Sequence, residues 1–421
     1  MTYRIATLAI HAGTAPDPTT GARAVPIYHS NGYVFDDLAH GSDLFALERV
    51  GYAYGRSGNP TVAAFERRIA ALEGGASAIA CASGQSALLM ILTALCRSGD
   101  EVIAAKQVFG GTVGLLKRFQ LQFGLIVRWV DPHDLDAVAE ALSAKTRGIF
   151  VEALINPTGD VVDLDGLSGL AKAARVPLIV DATLATPALL KPIAHGADIV
   201  WHSASKFMSG HGTAIGGIVI DSGNSHWIDG RYPTIVEPFE DYDGIVVTQK
   251  YPGWPFAAAC RLIGMRELGP CLSPTNAFLL ITGTETLPLR MKRHSENALA
   301  LQHYLQGHPA VVHVSHPGLP GHPRHNLATS LLGQGMGSIH TVTLKGGREA
   351  ASRVTQKLQF FSHLVNVGEA RSLVAHPATT THRNVDQATR DALGITDGTL
   401  RLSVGIEDID DLVADFEQAL A

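Results

Sequence analysis

Residues 198–217 read DIVWHSASKFMSGHGTAIGG. An apolar run, Asp198–His202, has the length and composition of a buried strand. It delivers Ser203 and Ser205 at its end, followed at once by Lys206 and a glycine-rich turn. A lysine that follows a buried strand is poorly placed to be a solvated surface residue. Its amine can form an imine with an aldehyde cofactor such as pyridoxal 5′-phosphate. Hydroxyls three residues and one residue before it are suited to donate to a phosphate. A strand-terminal lysine with a purely structural task satisfies the same pattern, so the stretch alone does not decide the chemistry.

One strand–helix–strand unit upstream, Asp181 closes the apolar strand Leu178–Asp181. A carboxylate there can pair with a pyridine nitrogen and keep it protonated, which strengthens the ring as an electron sink. Asp181 is equally acceptable as a helix N-cap if Lys206 is ignored. Further upstream, Ser83-Gly84-Gln85 separates the apolar strand Ala76–Cys81 from the apolar helix Ser86–Cys96. Backbone N–H groups at such a helix start bind phosphate, although glycine turns at strand ends are common. The three elements together describe a cofactor cradle that none describes alone.

Additional short apolar strands are expected at 101–105, 125–130, 148–152 and 215–220, most of them separated by helical segments. Continuous apolar strands alternating with helices imply an α/β fold, with a mostly parallel sheet covered on both faces. Such sheets bind ligands at the carboxyl ends of their strands, where the polar motifs here fall. A helix is expected over Val62–Leu72 and a long amphipathic one over Thr286–Gln306, where Pro288 is tolerable in the first turn. Residues 1–60 show little periodicity and many turn formers and aromatics, which predicts an extended arm that needs a surface to lie on. The segment from about 225 to Pro255 reads as loop-rich, and a smaller α+β region ends in Arg401-Leu402-Ser403-Val404 and an acidic helix. The resulting division is an arm (1–60), a cofactor-binding large domain (61–260) and a C-terminal small domain (261–421).

Composition narrows the function classes. A net charge of −6 gives no electrostatic reason to expect nucleic acid or an anionic membrane as a partner. The 4 cysteines are widely spaced without a CxxC pair, so neither a disulfide framework nor a metal site is expected. The N-terminus lacks a basic region followed by a long apolar stretch, and no uncharged apolar run reaches membrane-spanning length. The expectation is a cytoplasmic protein.

The sequence resembles the Cys/Met-metabolism family of pyridoxal phosphate enzymes along essentially its whole length. The resemblance is densest over Ala185–Gly217 and extends to YGRSGNPT (54–61), ASGQSA (82–87), NPTG (156–159) and RLSVGIED (401–408). Within the family it is most similar to the O-acetylhomoserine sulfhydrylase branch, on YVFDDLAHGSDLFAL (33–47), on 272–298, on NVGEARSLVAHPATTTH (366–382) and on the insert around Ser225–Tyr251. The resemblance implies fold type I, with a seven-stranded sheet and a smaller C-terminal domain. It implies that Lys206 carries the cofactor as a Schiff base and shuttles protons, and that Asp181 pairs with the pyridinium. Gly84, Gln85, Ser203 and Ser205, with Ser83 beside them, would hold the phosphate, and Tyr54 and Arg56 would reach the phosphate in a neighbouring subunit. Arg401 would clamp the substrate α-carboxylate, helped by Asn156 and Asn366. A homotetramer built as a dimer of dimers with shared active sites follows from the same resemblance.

Four departures bear on specificity. Phe109 stands where the family usually stacks a tyrosine, so the ring survives without its hydroxyl. Gly111 replaces the cysteine expected of methionine γ-lyases, and Ala182 replaces an asparagine. His29-Ser30-Asn31-Gly32 also differs from the usual pattern. The expected reaction is γ-replacement on an activated homoserine ester, O-acetylhomoserine with sulfide or thiol giving homocysteine or methionine. The alternative is a γ-lyase, or a γ-replacement on another γ-substituted amino acid with a non-sulfur nucleophile.

Overall fold

The strands of the large sheet are β1 (Ser77–Cys81), β2 (Glu101–Ala105), β3 (Ile126–Val130), β4 (Thr146–Glu152), β5 (Leu178–Asp181), β6 (Ile199–His202) and β7 (Gly217–Asp221). They lie in the order β1-β7-β6-β5-β4-β2-β3 in a computed structural model that describes residues 3–224, 227, 230–333, 335–383, 385 and 387–421. The pairings β2–β3, β2–β4, β4–β5 and β5–β6 are parallel, whereas β7 runs antiparallel to both neighbours, β6 and β1. Two reversals restore direction, so β1 ends on the same edge as β4, β5 and β6. Central strands are buried along their length, as in β2, β6 and β7, while edge strand β3 alternates exposed and buried residues. This is the burial pattern that continuous apolar runs and alternating runs respectively dictate.

The helix expected at 62–72 spans Pro60–Glu73. Asn59 caps it, its side-chain oxygen accepting from Thr61 N and Val62 N, Pro60 occupies the first turn, and Gly74 closes it in the left-handed region. His202, the last residue of β6, turns away from Ser203 and bonds the buried Glu73 of this helix at 2.7 Å. The strand that presents Lys206 is thereby tied to the helix layer behind it.

Beyond β7, the segment read as loop-rich contains a short hairpin, β8 (Pro238–Phe239) with β9 (Ile245–Val246), and helical turns at Pro233–Val236 and Val247–Lys250. Tyr232, Ile235, Tyr242 and Val247 from this insert are buried against Phe256 and the core of the large sheet. Ser225, which opens the insert, lies outside the described residues. The smaller C-terminal domain carries a separate sheet of β10 (Val311–Ser315), β11 (Ile339–Leu344), β12 (Ser362–His363), β13 (Leu373–Ala375) and β14 (Thr399–Ser403), in the order β10-β11-β14-β13-β12. All of its pairings are antiparallel except β12–β13.

The long helix is Leu287–Gln306, with Pro288 in its first turn. Its residues Arg290 and His294 lie one turn apart on one face. The buried Arg290 guanidinium donates to Phe207 O at 2.7 Å, in the turn just after Lys206. His294 Nδ1 meets Val404 O at 2.7 Å, just after the strand that carries Arg401.

The arm differs from its expectation. It contains two short helices, Ile5–His11 and Leu38–Phe45, the second capped by Asp37 accepting from His40 N. Seven- and eight-residue helices are too short to imprint a readable periodicity. Val34 and Leu38 are each 95% exposed and Phe45 58%, so these three side chains are not covered within one chain.

Candidate active site

A cavity of about 490 Å³ opens at the carboxyl ends of β4, β5 and β6. It is lined by Ser83, Gly84, Gln85, Phe109, Asn156, Asp181, Ser203, Ser205, Lys206, Asn366 and Arg401, so residues from both sheets meet there. Of the residues singled out from sequence, Tyr54 and Arg56 do not line it. The Arg56 guanidinium lies over the Tyr54 ring, 5.4 Å from its centroid, and donates to Arg266 O. Residues 29–32 are likewise outside the lining and instead pair with the Tyr54–Gly55 segment.

The helix Gly84–Leu95 points its N-terminus into the cavity. Ser83 Oγ caps it by accepting from Ser86 N at 3.1 Å. The N–H groups of Gly84 and Gln85 have no partner within the helix itself. A Cβ at Gly84 would lie 2.7 Å from Ser203 Cβ and 3.0 Å from Ser203 Cα, so only glycine lets this helix start sit against the end of β6. Ser205 Oγ donates to Gly216 O at 3.1 Å and accepts from Gly216 N at 3.0 Å. Its single proton is thus spent within the glycine turn, and Ser203 is the hydroxyl left facing the cavity floor.

Asp181 and Glu152 are register partners on β5 and β4. Burial raises the Asp181 carboxyl above its ordinary value, against the opposing hydrogen bonds from the Thr183 hydroxyl and N–H. Burial raises Glu152 well above its ordinary value too, and the neighbouring Asp181 charge adds to the effect. Glu152 was not foreseen from sequence. Its oxygens accept from Phe109 N at 2.5 Å and Asn156 N at 3.3 Å, so one carboxyl fastens two loops of the cavity wall. The signal that could have exposed it is an acid closing a fully buried strand beside the strand that ends in Asp181. Thr183 was also passed over as a contributor: its Oγ1 accepts from Ser203 N at 2.8 Å and ties the end of β5 to the start of the Lys206 turn.

Lys206 donates to Asn366 Oδ1. Burial lowers its amine below the ordinary lysine range and the Arg401 charge lowers it further, while Glu369 acts in the opposite direction. Arg401, on β14, is 3% exposed and burial pulls its guanidinium down to about 10. Its Nη2 donates to Asn366 O at 2.8 Å and its Nη1 to Asn156 Oδ1 at 3.4 Å. Its Nε is buried with no hydrogen-bond partner among the described residues. A buried, unpartnered donor on a charged fork suits a carboxylate, which accepts two parallel N–H groups.

The chain matches the family described as Cys/Met metabolism PLP-dependent enzyme over residues 6–421. It is similar to a homocysteine synthase of Schizosaccharomyces pombe, 44% identical, with 98% of this chain and 97% of that protein covered. It is similar to an O-acetyl-L-homoserine sulfhydrylase of Leptospira meyeri, 42% identical, with 99% and 97% covered. Its structure is similar to that of an O-acetylhomoserine (thiol)-lyase of Campylobacter jejuni, solved with N′-pyridoxyl-lysine-5′-monophosphate in the chain, with a TM-score of 0.96, 35% identity and 99% and 100% covered. The chain belongs to the Cys/Met metabolism family of PLP-dependent enzymes. Pyridoxal phosphate is therefore its cofactor.

The residues present fit that group. The glycine-only contact at Gly84 leaves a helix N-terminus with free donors beside Ser203, which could hold the phosphate. Asp181 could meet the ring nitrogen and Phe109 could cover a ring face. Beside Phe109, Gln85 Nε2 fills the space next to Gly111, lying 2.0 Å from where a Cβ there would be. Among the described residues no cluster of His, Cys, Asp and Glu could hold a metal ion, and no helix is long and apolar enough to cross a membrane.

Proposed function

We propose that this enzyme catalyses γ-replacement on O-acetyl-L-homoserine, with sulfide or a thiol displacing acetate to give homocysteine or methionine. The observation that carries the reading is one cavity holding a desolvated amine, Lys206, and a buried guanidinium fork, Arg401, in a chain similar to homocysteine synthases throughout its length. Pyridoxal phosphate, when bound, supplies the electron sink that makes protons at Cα and Cβ of an amino acid removable.

The protein's own groups divide the remaining work. Arg401 binds the α-carboxylate, oriented by Asn156 Oδ1 and the Asn366 carbonyl. Lys206 takes and returns the protons, a task suited to an amine whose burial favours its neutral form. Asp181 supplies negative charge at the ring nitrogen, with Glu152 neutral beside it because two buried neighbouring carboxyls resist double ionisation. Phe109 contributes a face and no proton, which is compatible with acetate, a weakly basic leaving group that departs without an acid. Ser203, Gly84 and Gln85 hold the phosphate, with Ser83 as the cap of their helix and Ser205 bracing the turn.

Tyr54 and Arg56, lying outside the cavity of their own chain, support the further reading that they complete the site of a neighbouring subunit in a dimer of dimers. On that reading residues 1–60 are an arm to the neighbour, 61–260 the cofactor-binding domain and 261–421 the small domain, in a cytoplasmic enzyme. The altered residues Phe109 and 29–32 keep one rival open, a γ-lyase or a γ-replacement enzyme acting on another γ-substituted amino acid with a non-sulfur nucleophile. Incubating the yellow protein with O-acetylhomoserine, with and without sulfide, and identifying products by mass spectrometry separates them. Homocysteine appearing only with sulfide is the expected result. Formation of 2-oxobutanoate without added thiol would favour the lyase, and no product at all would move the search to other γ-substituted amino acids.

A further inference from the structure

Asn366 engages three partners at once. Its Oδ1 accepts from Lys206 Nζ, its Nδ2 donates to Glu369 Oε1 at 2.7 Å, and its carbonyl accepts from Arg401 at 2.8 Å. A side-chain amide has two orientations related by a flip. The flipped form would set Nδ2 against the ammonium and Oδ1 against the carboxylate, two repulsive contacts. Only the observed orientation satisfies both neighbours, and it is Glu369 that enforces it. The glycine-rich stretch after Lys206 makes room for this acid: a Cβ at Gly212, where φ is +68°, would lie 2.7 Å from the Glu369 carboxyl carbon. The Glu369 side chain is 14% exposed and faces Arg371 at 3.7 Å, whose side chain is 72% exposed outside the cavity.

We propose that Glu369 is a positioning residue for Lys206: through the Asn366 amide it fixes which atom faces the amine, and it stands as the anion behind that contact. The inference rests on the reading of Lys206 as the reactive amine and adds a regulator of it. The charged and titratable groups around Lys206 are Arg401 across the cavity, Asp181 and Glu152 on its floor, Arg290 behind the turn at Phe207 O and Met208 O, and Glu369 beyond Asn366. Arg401 and burial drive the proton off, and Glu369 holds it on. With Arg371 at its outer side, Glu369 also connects the amine to the protein surface.

Two substitutions test this in the full-length protein. Glu369→Gln keeps an acceptor for Asn366 Nδ2 and removes the charge. Arg371→Gln, at an exposed position, removes the cation that partly neutralises Glu369. The readout is the pH dependence of Lys206 modification by acetic anhydride after removal of the cofactor, followed by peptide mass spectrometry and compared with the absorbance–pH titration of the loaded enzyme. In Glu369→Gln the inflection is expected to fall by about one pH unit, as for loss of an opposite charge at a largely buried site. In Arg371→Gln it should rise by about 0.3 unit, screened by solvent. An unmoved inflection in Glu369→Gln overturns the proposal even if turnover falls, because a merely structural role predicts that pattern. If Glu369→Gln does not fold, Arg371→Gln decides alone: an upward shift supports the proposal and no shift overturns it. Absence of a pyridoxyl-Lys206 peptide after borohydride reduction of the loaded enzyme would instead sink the reading of Lys206, and the labelling result would stand apart from it.

Discussion

Replacing Arg401 with lysine keeps the positive charge and removes the fork. In the structure Nη2 is committed to Asn366 O at 2.8 Å, Nη1 reaches Asn156 Oδ1 at 3.4 Å, and Nε is buried without a partner among the described residues. A lysine ammonium is a single point of charge. If it keeps the Asn366 contact, it cannot also present two parallel donors to a carboxylate. A hydrogen bond between charged groups contributes about 1.5–3 kcal/mol, so loss of one donor from the pair should cost roughly 2–3 kcal/mol. That corresponds to a fall of roughly 30- to 150-fold in kcat/KM. The carboxylate is held equally before and during bond breaking, so the loss should lie mainly in KM. Initial rates with O-acetylhomoserine at saturating sulfide measure it, with cofactor absorbance confirming an intact site. A kcat/KM within threefold of the parent enzyme would refute the assignment of Arg401 as the clamp.

Four other outcomes follow from the geometry. Lys206→Ala should hold the cofactor weakly and lose turnover, and full activity in that variant would end the present reading. Gly84→Ala forces a Cβ against Ser203 Cβ at 2.7 Å and Ser203 Cα at 3.0 Å and should weaken cofactor affinity by roughly 5- to 150-fold by fluorescence titration, because overpacking costs about 1–3 kcal/mol. Phe109→Tyr should raise 2-oxobutanoate formation in the absence of thiol, and an unchanged side reaction would show that the hydroxyl is not limiting. His316, 0% exposed, has its imidazole pulled from 6.5 down to about 4 by burial, and its Nδ1 accepts from Gly318 N at 3.0 Å. Its folded pKa lies below its unfolded one, so its stability contribution is present above pH 6.5 and is lost as pH falls towards 4, by up to about 3 kcal/mol. His316→Asn should flatten that part of the curve of denaturation midpoint against pH, and parallel curves for the two proteins would contradict this.

What could be read in advance follows from where chemistry sits on the chain. Lys206, Asp181 and Ser83–Gln85 each end or follow a continuous apolar strand, and a mostly parallel sheet brings such ends together whatever the intervening lengths. Arg401 was legible only through the resemblance carried by RLSVGIED, since an arginine in a strand has no distinctive local pattern. Glu152 escaped because its meaning depends on lying next to Asp181, and strand order is not written in either strand. Glu369 escaped for a similar reason: it meets Lys206 only through an amide, across the boundary between the two sheets. Ser205 was legible from its spacing alone, and in the structure it lines the cavity while its hydroxyl also meets Gly216. The helices of the arm were hidden by brevity.

The helix Leu287–Gln306 carries an implication for altering what this enzyme accepts. One turn of it grips the segment after Lys206 through Arg290 and the segment after Arg401 through His294. The two groups that flank the α-carbon of a bound amino acid, Lys206 and Arg401, are thus held in register by a single helix lying behind the cavity. Enlarging the walls around Phe109 would change bulk tolerance, while the span between amine and carboxylate anchor would stay as it is. Libraries aimed at β-amino acids, which carry one more carbon between those two groups, should therefore vary positions 290 and 294, which lie outside the cavity lining, before the lining residues themselves.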